Sequence, residues 1–154
     1  MKYIKELKTY IYKKEFITFY NSIPINVYYC NLKLAYKNSR FFKNKKWNSP
    51  CFVHACFNLF NKIVEYAIFI AYDVDFKQIP SKAQKLLIYH EIGHIFNQDE
   101  KTGELSNEND ADNFAIKYIG KVFKSDVEKM AKWISNYGKR YYEKTYIEFI
   151  NRFT

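Results

Sequence analysis

Ser81-Lys82-Ala83-Gln84-Lys85-Leu86-Leu87-Ile88-Tyr89-His90-Glu91-Ile92-Gly93-His94-Ile95-Phe96-Asn97 is the stretch on which the reading of this chain turns. Within it, His90-Glu91-Ile92-Gly93-His94 is an HExxH pattern, and the one histidine elsewhere is His54. In a helix of about 3.6 residues per turn, positions 90 and 94 lie one above the other on a single face. Two imidazoles so placed can reach one metal ion, and the glutamate beside them can take a proton from a water nucleophile. The pentapeptide therefore predicts a zinc-dependent hydrolase. It also recurs by chance in ordinary buried helices, so its surroundings decide.

Upstream, Ile63-Val64-Glu65-Tyr66-Ala67-Ile68-Phe69-Ile70-Ala71-Tyr72 is rich in β-branched and aromatic residues and runs into the acidic turn Asp73-Val74-Asp75, which predicts a strand and its end. Pro80 then precedes Ser81, with Gln84 three residues on, the spacing of a capping box with Ser81 as N-cap. Asn97 is the expected stop, a residue that tolerates the left-handed conformation. The motif thus falls well inside a helix of roughly four turns.

Downstream, a third ligand is required. In Ser106-Asn107-Glu108-Asn109-Asp110-Ala111-Asp112-Asn113-Phe114-Ala115, Ser106 is a natural N-cap, and Ala111, Phe114, Ala115 and Tyr118 recur at helical spacing until Gly120. Glu108 and Asp112 share one face, with small Ala111 and Ala115 alongside to let a second helix approach the first. Glu108 can then be the third ligand, and Asp112 can accept the outer N–H of a ligand histidine, fixing its tautomer. A competing pattern, HExxHxxGxxH or HExxHxxGxxD as in metzincins, would put Asn97 at the glycine and Glu100 at the last ligand. Two of its positions are substituted here and no Met-turn can be assigned, so Glu108 is preferred over Glu100, and Glu104 ranks below both.

HExxH followed by Glu-x-x-Ala-Asp-x-x-Ala resembles the gluzincin branch of zinc metallopeptidases. Within that branch, the run from Ile68 through Pro80, Gln84 and the motif to Glu108 and Phe114-Ala115 is similar to the ImmA/IrrE-like metallopeptidases. The resemblance covers about residues 20–120 and extends weakly back to Ile23-Pro24-Ile25-Asn26-Val27 as a first strand. It implies an α+β, zincin-like fold with a small antiparallel sheet over the active-site helix. It implies zinc ligands at His90, His94 and Glu108, and Glu91 as general base. The gap from His94 to Glu108 is short for that family, and residues from about Lys121 onward have no counterpart in it.

The mechanism so implied is hydrolysis of a peptide bond, with Glu91 moving a proton from water to the leaving amine. The oxyanion needs a further donor, for which Tyr118, Tyr137, Tyr141 and Tyr142 are candidates. The strand over residues 63–72, taken as an edge, would pair with an extended substrate.

At 154 residues the chain is read as a single domain, a core over 1–120 with a helical C-terminal extension over 121–154. Strands are expected at 25–30, 51–59 and 63–72, with Asn61-Lys62 as a turn. Near the start, Ile4, Leu7 and Ile11 have helical spacing while Phe16 to Tyr20 is strand-like. Towards the end, Ser125 with Glu128 forms a second capping box, and Val127, Met130, Ala131 and Ile134 make its stripe. After Gly138, Tyr142, Tyr146, Phe149, Ile150 and Phe153 mark a last amphipathic helix. No segment has the apolar length of a membrane span, and the N-terminus lacks the apolar core of a secretory signal, so a cytoplasmic location is expected, in the producing cell or an infected host. The abundance of Lys, Asn, Ile, Tyr and Phe suits an AT-rich genome, such as that of a phage or mobile element. Cys30, Cys51 and Cys56 are an odd number in such a compartment and read as buried apolar residues rather than disulfides or, with His54, a second metal site.

Charge is uneven. The net is +9, and no acid occurs from Phe16 to Val64. Lys33, Lys37, Arg40, Lys43, Lys45 and Lys46 cluster there with Tyr36, Phe41, Phe42 and Trp47. Such a segment can bind nucleic acid, dock an acidic protein, or simply be a solvated connector. The leading expectation is a narrow-specificity intracellular protease acting on a regulatory protein. A cell-wall peptide hydrolase and a non-catalytic binding module with a zinc site are the alternatives.

Overall fold

A computed structural model of the protein describes residues 2–40, 42, 49–138 and 142–154. They divide into two compact units, Met1–Asp73 and Val74–Thr154. The division falls in the acidic turn Asp73-Val74-Asp75, and the residues read as a helical extension, 121–154, belong to the same unit as the HExxH helix. Mixed α/β structure, with one small sheet and several helices, is distributed between the two.

The first unit runs α1 (Lys2–Leu7), a 3-10 turn (Lys8–Tyr10), β1 (Ile11–Tyr20), β2 (Ile23–Cys30), α2 (Leu32–Asn38), β3 (Cys51–Phe57) and β4 (Ile63–Ala71). Its four strands form one sheet in the order β1-β2-β4-β3. β1 with β2 and β3 with β4 are antiparallel, but β2 and β4 are parallel, with Val27 opposite Ile68. The sheet is therefore mixed where an antiparallel one was expected. The connection from β2 to β4 passes through α2 and β3, long enough to return the chain in the same direction. This topology also corrects the reading of residues 63–72 as an edge. β4 is interior, paired on both sides, and its nearly unbroken apolar run is the pattern of a strand covered on both faces.

Among the described residues, the edges of the sheet are β1 and β3. β1 leaves Tyr12 to Phe16 exposed, and Lys13, Lys14 and Glu15 within it blunt further pairing. Its two-residue turn into β2, Asn21-Ser22, holds both residues at positive φ, as the twist of a tight hairpin demands. On one face, the rings of Tyr36, Phe42, Phe52, Phe69 and Tyr28 follow one another with centroids 4.6–5.7 Å apart. Beside them the buried Glu65 carboxylate accepts from Asn26 Nδ2 at 2.6 Å and from the Tyr28 hydroxyl.

The second unit is helical: α3 (Val74–Gln78), α4 (Ser81–Phe96), α5 (Glu108–Ile119), α6 (Lys124–Ser135) and α7 (Tyr142–Phe153). α4, α5, α6 and α7 fall where the periodicity placed them, α3 occupies the stretch read as an acidic turn, and the caps differ. Ser81 is already helical, with Pro80 at the cap position and no side-chain cap. Gln84 instead reaches past Ser81, its Nε2 donating to the carbonyls of Ile79 at 2.8 Å and Phe76 at 3.2 Å. Asn97 is not left-handed, its φ being −103°. Its side-chain amide donates to the Gly93 carbonyl at 2.9 Å, so the helix end is satisfied without that conformation. Asn107, not Ser106, caps α5 by accepting from the Asp110 N–H at 2.9 Å. α6 starts at Lys124 with no side-chain cap, so Ser125 and Glu128 form no box. Gly120, at φ +86°, ends α5. Trp133, Phe76, Val127 and Met130 are fully buried, with the Trp133 and Phe76 rings 5.2 Å apart. No helix among the described residues is long and apolar enough to cross a membrane.

Candidate metal centre

α4 and α5 meet where neither has a side chain in the way. A Cβ added at Gly93 would lie 2.9 Å from both the Cα and the carbonyl oxygen of Ala111, and 3.0 Å from Phe114 Cβ. Ala111 and Ala115 are fully buried, as their small size suggested. This contact lets the first turn of α5 face the last two turns of α4, and it brings His90, His94 and Glu108 together.

Those three residues offer one ligand atom each, all within 4.8 Å of one another, and the group could hold a metal ion. His90 Nε2 lies 3.1 Å from Glu108 Oε2, and His94 Nε2 lies 3.4 Å from Oε1. The two rings are perpendicular, with centroids 4.8 Å apart. The histidines are largely buried, whereas the Glu108 side chain is 69% exposed, so the site opens on the carboxylate side. Among the described residues this is the one such group, and Glu100 and Glu104 are not part of it.

Both imidazoles are held from behind. His90 Nδ1 is 2.7 Å from Asp112 Oδ1. His94 Nδ1 is 2.8 Å from the Ser106 carbonyl oxygen, which can only accept, so Nδ1 carries the proton and Nε2 is the atom turned to Glu108. The Ser106 N–H in turn donates to the His94 carbonyl at 3.3 Å. That explains why Ser106 does not cap α5: its main chain is engaged with α4.

Arg152, in the last turn of α7, completes the cluster. Its Nε donates to Asp112 Oδ2 at 2.5 Å, and its Nη2 lies 2.8 Å from Asp112 Oδ1 and 3.4 Å from Glu108 Oε2. Nothing in the sequence marked this residue, forty positions from Asp112 and in a segment without a motif. The Ser106 carbonyl was equally invisible, because a main-chain acceptor leaves no trace in residue identity.

The charges are strongly coupled. Burial opposes a proton on His90, but hydrogen bonds to Asp112 and Glu108 and the nearby Glu91 charge prevail and raise its pKa to about 9. His94 is raised likewise, burial being outweighed by Glu108 and Glu91. The Glu108 carboxyl is held well below the usual carboxylate range by the two histidines. Asp112, although burial favours its neutral form, is kept ionised by His90 and Arg152. Imidazolium protons and a metal ion are thus alternative ways of supplying the positive charge these carboxylates require.

The remaining candidates scatter. Tyr118 lies ten residues beyond Glu108, about 15 Å along α5 at about 1.5 Å per residue. Its exposed ring sits against Phe114 at 4.6 Å and Tyr89 at 6.1 Å. Tyr137 is buried just beyond α6, with its ring 6.5 Å from Trp133. Tyr141 and the side chain of Tyr142 lie outside the described residues. Lys33, Lys37 and Arg40 are exposed on and after α2, while Lys43, Lys45, Lys46 and Trp47 fall outside the described residues, as does Phe41. Of the aromatics read with them, Phe42 is buried against Tyr36 and Phe52, and the Tyr36 hydroxyl donates to the Ser49 carbonyl. Both serve the core rather than a stacking surface.

No family model, no curated protein and no solved structure matches this chain.

Proposed function

We propose that this protein is a zinc metallopeptidase of the gluzincin type, similar to the ImmA/IrrE-like enzymes, with a zincin-like arrangement of its helices. The observation that carries the reading is the convergence of His90 Nε2, His94 Nε2 and the Glu108 carboxylate, with Glu91 on the same helix close enough to raise both imidazoles. Two imidazole nitrogens and one carboxylate suit zinc better than calcium or magnesium, which prefer all-oxygen ligands. Three protein ligands are the number found at hydrolytic rather than structural zinc sites. When bound, zinc supplies a Lewis acid that polarises a carbonyl oxygen and makes water more acidic.

The chain's own residues do the rest. His90, His94 and Glu108 would hold the ion, and Asp112 and the Ser106 carbonyl engage the two Nδ1 atoms, which leaves Nε2 of each ring for it. Glu91 accepts a proton from the attacking water on its carboxylate and delivers it to the departing amine nitrogen. The substrate would be a peptide segment of a regulatory protein, and the basic first half of the chain offers a surface for an acidic partner.

The test is metal analysis together with cleavage of a combinatorial peptide library read by mass spectrometry. Glu91→Gln should keep zinc and lose about 10²- to 10⁴-fold in rate, the usual contribution of a positioned acid–base group. Glu108→Ala should lose the zinc. Peptide cleavage at the wild-type rate by Glu91→Gln would refute the mechanism.

A further inference from the structure

We propose that Arg152 is a positioning residue for the metal centre: its guanidinium locks the plane of the Asp112 carboxylate, and through it the direction in which His90 presents Nε2. The proposal rests on the metallopeptidase reading and extends it to the C-terminal helix, to which neither motif nor resemblance assigned a part.

A lone carboxylate behind a histidine can rotate about its own side-chain torsions, and the imidazole then follows. Here both oxygens are taken. Asp112 Oδ1 faces His90 Nδ1 at 2.7 Å and Arg152 Nη2 at 2.8 Å, and Oδ2 accepts from Arg152 Nε at 2.5 Å. This is the two-point fork that arginine makes and lysine cannot, and it fixes the plane as well as the distance. The same Nη2 lies 3.4 Å from Glu108 Oε2, so one guanidinium touches a metal ligand directly and holds the support of another.

Arg152 is itself held in place. Its guanidinium carbon lies 5.0 Å from the Phe153 ring centroid and 5.3 Å from that of Phe149, both buried. The Phe153 carbonyl accepts the Val122 N–H at 3.0 Å, which ties the end of α7 to the segment after α5. Charge agrees with geometry. Glu91, Glu108 and Asp112 are three carboxylates, and one divalent cation with one guanidinium makes the loaded set neutral.

The experiment compares wild type, Arg152→Ala and Arg152→Lys, each checked for folding by circular dichroism. Zinc affinity is measured by competition with a chromophoric chelator, and coordination by the visible spectrum of the Co2+-substituted protein. Arg152→Ala should bind zinc about 10- to 100-fold more weakly, the range for groups that orient ligand histidines. Its Co2+ spectrum at saturation should also change in shape and intensity. Arg152→Lys, which keeps the charge but loses the fork, should fall between the two.

A residue that merely clamps α7 to α5 would lower the melting temperature and leave the saturated Co2+ spectrum unchanged, so a folded Arg152→Ala with the wild-type spectrum and affinity overturns the proposal. If Arg152→Ala does not fold, Arg152→Lys decides, and zinc affinity equal to wild type then overturns it. Wild type that binds neither zinc nor Co2+ refutes the metallopeptidase reading instead, which keeps the two failures apart.

Discussion

A metal ion held by His90 and His94 would compete with protons for the same two nitrogen atoms, which gives the candidate site a measurable pH signature. In the metal-free protein His90 holds its proton up to about pH 9, against an ordinary value of 6.5. A pKa raised by folding means that stabilisation is fully present below the unfolded value and lost as pH rises through the folded one. Glu108, whose pKa is lowered from 4.5, works in the opposite sense: its contribution is present above the unfolded value and lost as pH falls. The melting temperature of chelator-treated protein should therefore fall between pH 6.5 and 9, and fall again on acidification below 4.5. Protein loaded with zinc should lose the high-pH decline, because its Nε2 atoms no longer carry protons. Equal slopes from neutrality to pH 9 with and without the metal would remove His90 from the ligand set.

At the scale of elements, the contact between α4 and α5 is the joint on which the centre depends. Gly93→Ala places a methyl group against the main chain of Ala111, which has no flexible end to move aside. Overpacking of this kind costs about 1–3 kcal/mol. Because α5 carries Glu108, the same substitution should weaken zinc binding as well as lower the melting temperature, and competition titration with calorimetry reads both. Whereas α2 and α3 are too short to show a period, the long helices α4 to α7 were legible, because periodicity reports the buried face and the buried face is what tertiary packing preserves. The caps were not. Ser81, Ser106 and Ser125 each have the right chemistry, but Ser81 and Ser125 already lie inside their helices, and the main chain of Ser106 is engaged with His94, a demand that local pattern cannot express. Strand order failed for a related reason. The apolar run of β4 signals burial on both faces, but its partners are a matter of topology, and the parallel pairing with β2 depends on a crossover spanning two other elements.

Across the whole molecule, the candidate site and the basic segment belong to different compact units. His90, Glu91, His94, Ser106, Glu108, Asp112 and Arg152 all lie in Val74–Thr154, and the acid-free run lies in Met1–Asp73. The candidate ligands were readable because metal chemistry restricts side-chain type and helix geometry restricts spacing. Arg152 was not, since any arginine on any surface could have filled that place. The first unit carries its own reporter. Burial pushes the Cys30 thiol up to about 12, and burial with the nearby Glu65 does the same for Cys56. At about pH 8, where an ordinary thiol is partly ionised and reactive, both should resist iodoacetamide in the native protein and react together once denaturant opens the sheet. Peptide mass mapping reads the outcome, and prompt labelling of Cys30 in the native state would contradict the packing of β2.

Of the two histidines, one leans on a side chain and the other on the polypeptide itself. His94 is clasped twice by Ser106, through a carbonyl and an N–H that every non-proline residue possesses. An alanine substitution at position 106 would leave both of these main-chain contacts in place, although the orientation of a candidate metal ligand hangs on them. Half of what steadies this centre is therefore written in the path of the chain and is silent to mutation of its side chains.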